Sequence, residues 1–113
     1  MTPAAFEQAA LALPGAAVSV QWGADRVYKV GAKMFAVRGD NAGKDPSVSF
    51  KCSDLAFEML IQREGIIPAP YLARAKWVAL KNLRVLPDAE IRAYLAEAHR
   101  LVVEKLPKKL RPA

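Results

Sequence analysis

One histidine and one cysteine stand in this 113-residue chain, and side-chain chemistry would have to be built around them. His99 lacks the companion ligands that a tetrahedral metal site needs, and no nucleophile with an orienting acid stands near it in the chain to form a relay. It falls on a helical stretch and is expected at an exposed or half-buried position. Cys52 alternates inward with Phe50 and reads as a small core residue. A lone cysteine excludes an internal disulfide and fits a reducing cytoplasm. The acids are scattered singly, so no pair suggests acid–base catalysis. GADRVYKVGAK contains glycines, but it joins two strands rather than opening a helix, which is not how a phosphate loop is built. The reading is of a protein with no catalytic residue, no metal and no cofactor.

The cations are more informative. Lys33, Lys51, Arg74 and Lys76 fall on or beside predicted strands, where lysine is disfavoured. Edge protection is one reason for such placement. The other is a sheet face or hairpin tip that meets phosphates in salt-sensitive contacts. Lys44 sits at a longer tip, GDNAGKDP. Trp22, Tyr28, Tyr71 and Trp77 could supply stacking surfaces, although a tryptophan taken singly is more often core than ligand platform. The net charge is +6. Residues 1–65 balance seven Lys/Arg with seven Asp/Glu, whereas residues 66–113 carry ten against four. A localised positive field attracts nucleic acid or an anionic membrane surface; the alternative is a merely solubilising surface.

Elements to position these residues follow from spacing. Thr2-Pro3 starts a first helix, since threonine caps and proline at the first helical position loses no needed N–H. Phe6, Ala9, Ala10 and Leu13 recur at helical spacing until Pro14-Gly15. VSVQW alternates, with Val18, Val20 and Trp22 pointing one way. Gly23-Ala24-Asp25 leads into RVYKV, and Gly31-Ala32 reads as a type II′ turn into KMFAVR. That turn sets Val30 opposite Lys33 and Tyr28 opposite Phe35, an aromatic pair on one face. SVSFKC forms a fourth strand. Ser53 or Asp54 caps a second helix with Leu55, Met59 and Leu60 inward and Gly65 closing it. In IIPAPYLARAKWVAL, Pro68 and Pro70 extend the chain into a fifth strand at about Ala75 to Leu80. There Arg74 and Lys76 share one face and Trp77 the other. Pro87, Asp88 and Glu90 open the longest helix, with Ile91, Leu95, Ala98 and Val102 as its buried stripe.

The order α-β-β-β-β-α-β-α predicts an α+β two-layer sandwich, a five-stranded antiparallel sheet with helices on one face. One domain, 1–113, is expected, with 107–113 a basic tail, and a chain of this length buries roughly 65% of its unfolded surface. Globular composition, 53% hydrophobic and 25% charged, excludes disorder. Glu7 and Gln8 interrupt the only stretch resembling a leader, which lacks a basic start. No apolar run approaches the roughly 18 residues of a membrane span. The expectation is a soluble, cytoplasmic protein, monomeric or weakly dimeric.

WGADRVYKVGAKMFAV, SVSFK, IIPAPYLARAKWVAL and EAHRLVVEKLPKKLR together resemble the MmcQ/YjbR family of small bacterial proteins over nearly the whole chain. The most telling points are Trp22-Gly23, Val30 to Lys33 followed by Phe35, Lys51, and the segment from Pro70 to Trp77. The resemblance implies a fold similar to that of CyaY, the bacterial frataxin, and DNA binding through a "double wing" of hairpins at residues 23–26 and 39–46. Frataxin's iron role does not carry over, because the first helix holds one acid, Glu7, where an acidic ridge of oxygen ligands would be needed. The resulting expectation is weak DNA binding, with Lys33, Lys44, Lys51, Arg74 and Lys76 on phosphates and Trp22, Tyr28, Phe35 and Trp77 as structural aromatics. Four to six neutralised phosphates would give a log affinity against log salt slope near −4 to −5. The alternative is a non-enzymatic module that binds a protein or a small anionic ligand on the same face.

Overall fold

A computed structural model describes residues 1–39 and 46–112. The chain runs α1 (Pro3–Leu11), β1 (Ala17–Gln21), β2 (Asp25–Val30), β3 (Lys33–Arg38), β4 (Val48–Lys51), α2 (Asp54–Leu60), β5 (Ile66–Pro68), β6 (Trp77–Leu80) and α3 (Asp88–Glu104). Short 3-10 turns stand at Ala73–Ala75 and Lys108–Leu110. All strand pairings are antiparallel, in the order β1-β2-β3-β4-β6-β5.

The helix starts are chemically specified. Thr2 Oγ1 accepts from the Ala5 N–H at 3.0 Å, with proline following at the first position of α1. Ser53 rather than Asp54 caps α2, its Oγ accepting from the Ala56 N–H at 3.1 Å. Asp88 and Glu90 stand in the first turn of α3, where negative charge meets the positive end of the helix dipole. Ile91, Leu95, Ala98 and Val102 are buried as one stripe against the sheet, with Phe6 and Ala10 of α1 in the same core.

Six strands, not five, make up the sheet among the described residues. The additional strand is Ile66–Pro68, which pairs with β6 through Ile66 opposite Leu80 and Pro68 opposite Val78. Three residues ending in proline do not announce a strand, yet proline is tolerated on an edge because its missing N–H is not needed there. β6 begins at Trp77, so Arg74 and Lys76 do not share a strand face as expected. Arg74 lies in a 3-10 turn and Lys76 adopts a left-handed conformation, φ 62°. The physical reason is pairing: the β4–β6 ladder ends with Lys51 opposite Trp77, and the chain must turn back to run against β5.

Five smaller expectations also change. Gly31 and Ala32 both have positive φ, 55° and 67°, which is a type I′ rather than a type II′ turn. Val30 does face Lys33, but a bulge follows, so Tyr28 faces Ala36 and Phe35 has no residue opposite. Tyr28 instead meets Phe6 edge-on at 5.7 Å, and Phe35 meets His99 at 5.5 Å. His99 is therefore buried, 8% exposed, and its Nε2–H donates to the Pro14 carbonyl at 2.7 Å. On α2, Phe57 and Leu60 are buried while Leu55 and Met59 face solvent. Trp22 is not a structural aromatic: it leaves β1 for the turn at φ 50° and is 65% exposed. Alternation ends with β1 at Gln21, so the pattern does not carry through to Trp22. The tip carrying Lys44 lies outside the described residues.

The tail beyond α3 is docked. Arg111 donates to the Leu106 and Glu104 carbonyls at 3.0 and 2.9 Å. A Cβ on Gly31 would lie 2.6 Å from Leu106 Cδ1, which shows how closely the β2–β3 turn meets this segment.

Glu7 ties α1 to the sheet. Its carboxylate accepts from Arg26 Nε at 2.5 Å and Nη2 at 3.0 Å, and from the Tyr28 hydroxyl at 2.9 Å. The hydrogen bond from Arg26 holds the Glu7 carboxyl below its ordinary value, partial burial opposes it, and Tyr28 and nearby positive charge reinforce it. A carboxyl lowered in this way stabilises the fold above its unfolded value of about 4.3. That contribution is lost as pH falls through the folded value. Glu7→Gln should cost about 1 kcal/mol at neutral pH. It should also flatten the acid side of a stability–pH profile measured by urea unfolding.

Candidate phosphate-binding site

Strand alternation places Phe50 and Val78 toward the helices and Lys51 and Trp77 on the opposite sheet face. Trp77 is nevertheless only 3% exposed. Ala75, with Val102, Lys105 and Leu106 at the end of α3, lines one cavity with it, and the connection from β5 to β6, residues 69–76, is hydrogen-bonded to its backbone. The Ala69 N–H donates to the Trp77 carbonyl at 3.0 Å, and the Trp77 N–H to the Leu72 carbonyl at 3.2 Å. Pro70, Tyr71 and Leu72 come to stand beside Met34 and Val37 of β3. The second face is thus partly covered by an arch of its own chain.

Where the arch returns to the sheet, a cavity of about 370 Å³ opens at the strand ends. Lys33, Lys51 and Lys105 line it, with Met34, Trp77 and Leu106 among its apolar walls. Lys33 is the first residue of β3 and Lys51 the last of β4. Lys105 caps the C-terminus of α3, where a cation suits the helix dipole. Lys51 Nζ donates to the Ala75 carbonyl at 2.6 Å, which fixes the ammonium at the cavity. Burial first, and then the neighbouring Lys105 charge, hold the Lys51 ammonium below the usual lysine range. Among the described residues none of the three lysines pairs with a carboxylate. Such a cavity can accept an anionic oxygen from more than one side, and the anion would relieve the mutual repulsion.

The expected contacts divide accordingly. Lys33 and Lys51 are brought together. Arg74 is exposed on the turn next to Ala75, and no carboxylate pairs with it among the described residues. Lys76 points elsewhere: its Nζ lies over the Phe57 ring, 4.9 Å from the centroid, in a cation–π contact. Its carbonyl accepts from the Cys52 N–H at 2.9 Å and from Cys52 Sγ at 3.3 Å. Lys76 is therefore part of how the arch is fastened. Lys105 was missed by the sequence reading, which set residues 107–113 apart as a basic tail and named no cation at the end of α3 as a contact. The available signal was the close approach required by Gly31 and the run EKLPKK, which together bring the end of α3 to the start of β3.

Among the described residues no group of three or more His, Cys, Asp or Glu side chains could hold a metal ion. No helix is long and apolar enough to cross a membrane.

A family model described as YjbR matches residues 11–101. No curated protein matches the sequence. A crystal structure of a Deinococcus radiodurans protein with a DUF419 domain is similar at a TM-score of 0.84 and 22% identity, over 96% of this chain and 84% of that one. A Pseudomonas syringae protein of known structure is similar at a TM-score of 0.71 and 19% identity, over 89% and 98% of the two chains. At these identities the likeness is one of fold.

Cys52, beside Lys51, is buried, and desolvation pushes its thiol up to about 11. At pH 8 the thiolate fraction should be about 100-fold below that of an ordinary cysteine. Ellman's reagent should accordingly leave the native thiol essentially unlabelled and count one thiol after denaturation.

Proposed function

The chain belongs to the YjbR family, and on that footing we propose that it is a non-enzymatic DNA-binding protein whose phosphate contacts centre on the lysine cavity. The observation that carries this reading is the convergence of Lys33, Lys51 and Lys105 on one hollow lined by no carboxylate. Arg74, exposed and with no carboxylate partner among the described residues, adds a cation next to Ala75 of the cavity lining. Binding of this kind is electrostatic and weak, because phosphate contacts position nucleic acid without reading its sequence. The hairpin wing expected at residues 23–26 fits the same reading; the one expected at 39–46 lies largely outside the described residues. The concavity of the site favours one further reading, a compact phosphorylated or carboxylated ligand in place of DNA. Inorganic phosphate competing with DNA at millimolar concentration and ordinary ionic strength would support that alternative.

Fluorescence anisotropy of a labelled oligonucleotide tests the proposal. Three to four neutralised phosphates should give a log affinity against log salt slope of about −3 to −4. Lys33→Ala, Lys51→Met and Lys105→Ala should each make that slope shallower by about 1. With its ammonium held below the usual range, Lys51 loses its proton early as pH rises, so wild-type affinity should decline on the alkaline side before that of Lys51→Met. Lys51→Met also loses its hydrogen bond to the Ala75 carbonyl and should cost about 1 kcal/mol, whereas Lys33→Ala should change stability by no more than about 0.5 kcal/mol, which separates a binding role from a structural one. Absence of binding at low salt, or unchanged affinity in all three variants, would overturn the proposal.

A further inference from the structure

A second hollow, about 530 Å³, lies on the same sheet face and shares Met34 with the lysine cavity. Met34, Val37, Pro70 and Leu72 are its apolar lining, and Trp22 and Tyr71 are its aromatic residues. Both aromatic residues occupy the left-handed region, φ 50° and 67°, where neither indole nor phenol side chains rest without cost. Trp22 is 65% exposed and Tyr71 fully exposed. Strained conformations of this kind persist when the surrounding structure imposes them, and they concentrate at ligand clamps. Here the three-residue β1–β2 turn and the β5–β6 arch impose them, and both aromatic side chains border one hollow.

We propose that this hollow takes an unstacked nucleobase, so that the chain binds single-stranded nucleic acid in preference to duplex. The inference rests on the phosphate reading of the lysine cavity and names its substrate class. A duplex keeps its base faces inside the stack, whereas a single strand presents them to aromatic side chains. The charge pattern agrees. Among the described residues, Asp25 is the one charged residue lining the hollow. Its carboxylate repels phosphate and can accept from a base amino group. The backbone is thereby directed toward Lys33 and Lys51, with the base left over Met34 and Val37. The two hollows, joined at Met34, match the two chemistries of a nucleotide.

The test compares a single-stranded oligonucleotide, an abasic strand of equal length and a duplex by anisotropy, with tryptophan emission recorded in parallel. Trp77 lines the lysine cavity, so Trp22→Phe, which leaves Trp77 as the single indole, is the control, and the part of the emission change that it loses reports Trp22. The intact single strand should bind about 10-fold more tightly than the abasic strand, and should quench emission. Trp22→Ala and Tyr71→Ala should each remove much of that difference, while Trp22→Phe should keep it and the salt slope should stay unchanged in all three. Equal binding of intact and abasic strands, or tighter binding of duplex, would overturn the base site while leaving the phosphate reading intact. Binding of none of the three would remove both.

Discussion

A large indole turned away from the main core must still be sheltered from water, and the seating of Trp77 organises this molecule. The indole sits on the last rung of the β4–β6 ladder, opposite Lys51. The chain immediately before it folds back and bonds to its backbone. Pro68 and Pro70 keep that chain extended and remove two N–H groups that would otherwise need partners. The Ala73–Ala75 turn and the left-handed Lys76 then bring it back. The arch is fastened where it meets β4: the Cys52 N–H and thiol both donate to the Lys76 carbonyl, and the Lys51 ammonium to the Ala75 carbonyl. A β5–β6 connection held this firmly leaves two defined hollows, one against Ala75 and Trp77 and one against Pro70 to Leu72.

Much of this was legible from local pattern. Thr2-Pro3, Ser53 and the Ile91, Leu95, Ala98, Val102 stripe are short-range signals, because capping and helical periodicity depend on residues within a few positions of one another. The β2–β3 hairpin was visible for the same reason, and its Val30–Lys33 register holds. What escaped was decided at longer range. The Phe35 bulge is set by what α3 presents, since Phe35 turns to His99. The strand Ile66–Pro68 exists because β6 offers it an edge, not because three residues prefer to be extended. His99 looked like a surface residue by composition, but its Nε2–H has the Pro14 carbonyl to serve, 85 positions away in sequence. That contact holds the end of α1 against α3.

The proposed phosphate site was half legible. Lys33 and Lys51 stood out because lysine is uncommon on strands, and the pleat fixed their direction. Arg74 and Lys76 stood out for the same reason, on a strand that does not extend that far. The cation–π contact of Lys76 with Phe57 depends on a left-handed residue that no alternation pattern announces. Lys105 enters only because the turn at Gly31 has no side chain, which lets Leu106 and the docked tail close on it.

Counting charge along the chain pointed to the second part of the sequence, whereas the field that matters is set by which cations keep their carboxylates. Arg100 is engaged by Glu97 and Glu104, Arg63 by Glu90, and Arg26 by Glu7. Exposed pairs of this kind add little to stability, but they cancel one another's field at a distance. Glu7, Glu90, Glu97 and Glu104 are thereby spent on arginines of β2, of α3 and of the turn after α2. Two of the three lysines left around the cavity belong to the half of the sequence whose charges balance. The positive end of this protein is therefore a product of folding: antiparallel pairing carries Lys33 and Lys51 to the same end of the sheet, and α3 delivers Lys105 there while its acids remain occupied behind it.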